Sequence, residues 1–170
     1  KYDRAFAKSE DDFTNKGFSH LRAINHFRPK IFIESFLQKE FNYFISLENR
    51  ELVGMGLRFK LGDGCFIGTG IMHEKEVYKD NPQQSFIKST NYLNYSMQLM
   101  EKVVLENILY YQFKPETINH YRILWDSKLH FQGSDRFSFH INCLYRYDIS
   151  EIDLIGSSYI EITNGFGFRF

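Results

Sequence analysis

The chain has 170 residues, 18% of them aromatic and only 3 prolines, which suits one domain and argues against disorder or a linker-rich assembly. Lysine plus arginine and aspartate plus glutamate both number 21, so there is no overall basic field to hold nucleic acid, and no nucleic-acid partner is expected. No run approaches the roughly 18 apolar residues of a membrane helix, which leaves helical spanning out.

The sequence opens on Lys1 inside a strand-like "KYDRAFA", with neither an initiator methionine nor a signal peptide, so a natural N-terminal part is expected to precede it. From there the apolar period is two almost everywhere. Strands are expected over 1–7, 14–27, 31–44, 48–61, 65–76, 86–100 and 103–114, followed by "YRILWDSKLHFQ", "FSFHINCLYRYD" and a last segment running to Phe170. In "IFIESFLQKEFNYF" the polar face carries Glu34, Gln38, Glu40 and Asn42. In "RELVGMGLRFKL" Val53, Met55, Leu57 and Phe59 oppose Arg50, Gly54, Gly56, Arg58 and Lys60. Segments 65–76 and 103–114 have mixed faces, and their register stays open. From Tyr121 the alternation is clean: Tyr121, Ile123, Trp125, Leu129 and Phe131 against Arg122, Asp126, Lys128, His130 and Gln132. The last two segments repeat it, with Arg146, Asp148, Glu161 and Arg169 on the polar side.

The connections alternate between tight ones at 28–30, 62–64, 101–102 and 133–135 and longer ones at 8–13, 45–47, 77–85, 115–120 and 149–158. Short turns at one end and longer loops at the other predict an all-β fold, an antiparallel up-and-down transmembrane β-barrel forming a single domain over 1–170. About ten strands are visible, and about twelve with a missing N-terminal part. The same alternation would fit a soluble barrel with an apolar interior. Strands longer than the usual soluble length and aromatics gathered toward strand ends favour lipid outside.

Charges of balanced sign then face the lumen: Glu34, Glu40, Arg50, Arg58, Lys60, Arg122, Asp126, Lys128, Arg146, Asp148, Glu161 and Arg169, with Gln38 and His140 beside them. In a narrow barrel such groups are expected to form a hydrogen-bonded ion-pair lattice, because an unpaired charge there is costly. A narrow pore using the same charges is the alternative. His20, His26, His130 and His140 share the inward face without a short ligand spacing, so neither metal nor cofactor is expected. A three-residue turn at 133–135 would pair His130 with Ser138 and His140 with Lys128. No third group or oxyanion donor joins Ser138 and His130, so no catalytic residues are assigned and the protein is expected not to be an enzyme. Cys65 and Cys143 fall on the outer face of strands that are not neighbours, which favours two free thiols over a disulfide.

Two resemblances add to this reading. In "TNGFGFRF", Thr163, Gly165, Phe168 and Phe170 resemble the C-terminal β-signal of bacterial outer-membrane barrels, which implies recognition by the barrel-assembly machinery and a periplasmic C-terminus. Across 31–76, "IESFLQKEFNYFISLENRELVGMGLRFKL" followed by "GIMHEKE" resembles the salt-induced outer-membrane protein family, bacterial barrels of uncharacterised function. Glu34, Gln38, Arg50, Gly54, Gly56 and Arg58 carry that likeness, one spacing departing slightly, and the family implies further N-terminal strands. Outer-membrane lipid and an outer-membrane protein complex are the partners these resemblances imply.

Overall fold

The computed structural model describes residues 2–6, 12–149 and 158–168, with the backbone alone described for 2–6, 12–15 and 44. The strands are β1 (Tyr2–Phe6), β2 (Asp12–Arg28), β3 (Ile31–Asn42), β4 (Leu47–Gly62), β5 (Cys65–Tyr78), β6 (Gln84–Met100), β7 (Val103–Lys114), β8 (Thr117–Gln132), β9 (Phe137–Asp148) and β10 (Ser158–Phe168). They form one up-and-down sheet whose order follows the chain from β1 to β10. Among the described residues that order ends at β1 and β10 with no pairing between them, so the closure expected from the sequence is not a feature of the sheet.

Two of the boundaries and one register differ from the sequence expectation. The strand expected over 31–44 stops at Asn42, and Tyr43–Ile45 turns into a short 3-10 helix closed by the Ser46 amide donating to the Tyr43 carbonyl at 3.1 Å. Ser46 adopts a φ of 56°, and its carbonyl accepts from the Lys79 amide at 2.9 Å, which ties two neighbouring connections together. The 115–120 loop shrinks to a turn at Pro115 and Glu116, because β8 begins at Thr117 and absorbs the difference in a bulge at Phe113/Lys114. In the β8–β9 hairpin His130 stands opposite His140, Lys128 opposite Asn142, and Gln132 opposite Ser138. The expected pairings of His130 with Ser138 and of His140 with Lys128 are therefore wrong, because the connection is longer than three residues. Each pairing slips by two positions.

Two compact units divide the chain, residues 1–57 with 70–89 and residues 58–69 with 90–170. In the first, β2 pairs with β3 along its length, Lys16 opposite Asn42 and His26 opposite Phe32. Even-numbered positions of β3 to β6 turn inward here: Glu34, Arg50, Leu52, Met72, Glu74, Glu76 and Lys88 are buried, while Leu37, Val53, Met55, Ile71 and Ile87 are exposed. In the second unit β7, β8, β9 and β10 pair in succession, and their outer face carries two aromatic rows. One, near the long connections, joins Tyr111 to Tyr121 and Tyr121 to Tyr147 with ring centroids 5.8 and 6.0 Å apart. The other, near the short turns, links Phe131, Phe139, Phe166, Phe137 and Phe168 at 5.0–6.0 Å.

The 62–64 turn shows how one residue type is forced. Gly64 has a φ of +71°, and a Cβ there would lie 2.6 Å from the Ser96 carbonyl oxygen. That carbonyl's own residue donates its amide to the Gly64 oxygen at 2.8 Å, so the neighbour has no room to withdraw. Gly64→Val should cost roughly 1–3 kcal/mol in a urea titration, since a β-branched residue tolerates neither the left-handed backbone nor the contact. Beside it, Lys60 donates to Asp63 at 2.8 Å and holds that exposed carboxyl below its ordinary value, by hydrogen bond first and charge second.

Candidate functional site

The side chains that would ordinarily face water are the buried ones. Arg50 is 2% exposed, Arg122 1% and Glu74 0%, and all three rank with the largest fully buried side chains of the described residues. Each sits at the inward parity of its strand, with Val53 and Met55 at the outward parity of β4, Ile67 and Ile71 at that of β5, and Ile123 and Trp125 at that of β8.

In the first unit the charges converge on Arg50. Its Nε donates to Glu74 Oε1 at 2.5 Å and lies 3.3 Å from Glu76 Oε1, and its Nη1 donates to Glu40 Oε2 at 3.0 Å. One guanidinium fork thus touches three carboxylates from two strands, a use that suits its planar donors and would defeat a lysine's point charge. Lys88 on β6 pairs with the other Glu74 oxygen. Further along the same face Arg22 donates to Glu34 at 2.6 Å, and Gln38 donates to Glu40 at 3.3 Å and meets His20. On the same face glycine makes room for an aromatic ring: Phe36 lies over Gly54, where a Cβ would come within 2.3 Å of it.

In the second unit the polar face is built around Arg122. Its Nε donates to Asp148 Oδ2 at 2.6 Å, and Arg146 donates to the same oxygen at 3.1 Å. Register explains the triad: Arg122 is opposite Asp148, and Arg146 is two residues from it on β9. Asn142, with its amide nitrogen turned to Asp126, donates to that carboxylate at 2.8 Å. Arg58 lies 3.8 Å over the Phe66 ring, and Glu161 accepts from the Tyr159 hydroxyl at 2.8 Å. Lys128 is opposite Glu106 on one side and Asn142 on the other. Lys60 reaches the turn rather than the strand interior. His140 lies across Gly165, whose Cβ would meet its ring at 2.6 Å. Ser138 is opposite Gln132 and Gly167, away from His130.

Among the terminal residues, Thr163 and Gly165 stand on the inner side of β10 and Phe168 is exposed on the outer side; Arg169 and Phe170 lie outside the described residues. Cys65 and Cys143 are both free. Sequence reasoning missed Glu74, Glu76 and Lys88. The run His73-Glu74-Lys75-Glu76 puts a polar residue on both faces in succession, so no alternation marks which carboxylates turn inward. Arg22, although on a segment recognised as a strand, was likewise not singled out.

On the outer face of the second unit a polar contact lies within the apolar surface: the Trp125 indole Nε1 donates to Asn107 Oδ1 at 3.0 Å. Asn107 is buried beneath it. No protein-family model matches the chain, and no curated protein matches it either.

Proposed function

We propose that the chain is an integral β-barrel of a bacterial outer membrane with a non-enzymatic, structural or accessory role, its strands closing around the charged face and its lumen largely filled by ion pairs. One observation carries the reading: buried arginines and glutamates on one face of the strands, exposed leucines, isoleucines and phenylalanines on the other. In water that arrangement would leave a contiguous apolar surface far larger than a soluble monomer exposes. In lipid it is the expected alternation.

The aromatic rows supply a length. Tyr121 and Phe131 stand at opposite ends of β8, and at ~3.3 Å per residue with a tilt of ~40° the rows lie roughly 25 Å apart along the membrane normal, the height of the apolar band of an outer-membrane barrel. Tyrosine at one level and phenylalanine at the other suit two interfaces. The C-terminus, at the short-turn end, is then periplasmic, and Thr163, Gly165 and Phe168 present the β-signal to the assembly machinery. The likeness to the salt-induced outer-membrane protein family rests on the sequence spacing of Glu34, Gln38, Arg50, Gly54, Gly56 and Arg58. An outer-membrane protein complex is the partner that the accessory role calls for.

A narrow pore is the second reading, favoured by the exposed carboxylate of Glu106 opposite Lys128.

Trp125 is the chain's 1 tryptophan, 42% exposed on the outer face of β8, and it is a built-in test. In vesicles of lipids brominated along the acyl chain, its emission should shift to the blue and fall by at least about half, since the indole would sit within the apolar band. Emission that stays at its aqueous wavelength, unquenched by bromine at any depth, would sink the membrane reading.

A further inference from the structure

The outer face of the first unit is not apolar throughout. Toward the long connections Lys39 donates to Glu51 at 3.0 Å, Lys75 lies close enough to act on the Glu51 charge, and His73 Nε2 meets the Ser85 hydroxyl at 2.8 Å. Directly below, a groove of about 380 Å³ runs between Leu21, Leu37 and Val53 and is capped by Lys39, Lys75 and His73. Lys39 and Lys75 are both exposed. An ammonium carries three protons, and the one that Lys39 gives to Glu51 leaves two to offer elsewhere. The opposite end of this face carries Asn25 opposite Ile33, and beyond a bulge after His26 Arg28 stands opposite Ile31, with its guanidinium 5.5 Å over the Phe27 ring.

Two cations against one carboxylate, set over an apolar trough, match the two halves of a phosphorylated lipid. Resting on the membrane reading above, we propose that this groove is a binding site for an anionic phospholipid, its phosphate between Lys39 and Lys75 and one acyl chain along Leu21, Leu37 and Val53. The level is right for it: Lys39 lies one outward position short of Phe41, whose ring contacts Tyr43 at 5.6 Å, and aromatic rings of that kind mark the headgroup region. Basic side chains at that depth attract anionic lipid. The odd-even arrangement that breaks up the strand pattern at His73-Glu74-Lys75-Glu76 thereby serves two faces, Glu74 and Glu76 on the inner one and His73 and Lys75 on the outer.

The test is native mass spectrometry of the whole protein in zwitterionic micelles, titrated with phosphatidic acid, with diacylglycerol of the same acyl chains, and with inorganic phosphate. The protein should retain phosphatidic acid at about tenfold lower concentration than diacylglycerol. Lys39→Gln/Lys75→Gln should abolish that preference, and Lys39→Arg/Lys75→Arg should keep it. Equal retention of the two lipids, a preference unchanged in the glutamine variant, or displacement of the lipid by inorganic phosphate at equal concentration would each overturn the lipid site. Trp125 quenching separates the failures: bromolipid quenching retained with no phosphate preference rejects the groove alone, whereas loss of quenching in the unaltered protein rejects the membrane reading and the groove with it.

Discussion

Arg50→Ala should lower the stability of the folded protein by about 3–5 kcal/mol, the range for removing one partner of a buried ion pair. The size follows from what the guanidinium holds. Glu40, Glu74 and Glu76 all come to it, and with the cation gone Glu74 and Glu76, on the same face of one strand, repel each other where water cannot screen them. Arg50→Lys should recover only part of the loss, since one ammonium cannot bridge three carboxylates at the distances seen. Adding Glu76→Gln to Arg50→Ala should restore stability relative to Arg50→Ala alone, and this coupling would be read from a double-mutant cycle in urea with Trp125 emission as the signal. The same variant bears on the choice between plug and pore. If the cluster fills the lumen, Arg50→Ala should raise single-channel conductance in a planar bilayer above that of the unaltered protein. A large, steady conductance already present before the substitution would favour the pore.

The second large effect is a sign test. Met55 is 58% exposed on the apolar face near the middle of β4. If that face meets water, Met55→Arg exchanges an exposed thioether for a solvated charge and changes stability by no more than about 0.5 kcal/mol. If it meets lipid, the same change should cost about 2–4 kcal/mol near the bilayer midplane. An equivalent arginine at the headgroup level, in place of Tyr43, should cost about 1 kcal/mol or less. Equilibrium unfolding from lipid vesicles would measure both, and a flat profile with depth would end the membrane reading.

How much of this was legible in the sequence varies from strand to strand. The period of two survives wherever one face is mostly apolar, so the two faces of β3, β4, β8, β9 and β10 can be separated from the sequence. Face and partner are different kinds of information. A slip of two residues leaves every side chain on its own face and changes only whom it meets, which is why the sequence separates the two faces of the β8–β9 hairpin yet gives the wrong opposite pairs. Hydrophobic pattern fixes parity, whereas the number of residues in the connection fixes register, and the turn after Gln132 is not a two-residue type whose length the sequence announces. β5 failed differently. Its charges come in succession and its glycines carry no side chain to vote for a face, so Glu74 and Glu76, two of the three carboxylates on Arg50, could be found only by seeing which way the strand turns.

The two aromatic rows have one more consequence. A phenol has to keep its hydroxyl in contact with water or headgroups, while a phenyl ring has no such demand and can sink into hydrocarbon. If the apolar face meets lipid, Tyr111, Tyr121 and Tyr147 would act as a fixed waterline at one end of the strands, and the phenylalanine row at the other end would leave the molecule free to ride a few ångströms up or down as bilayer thickness changes. A thinner membrane would be met entirely at the phenylalanine end. The loops beside the tyrosines, with whatever they present to the outside, would keep their height above the surface.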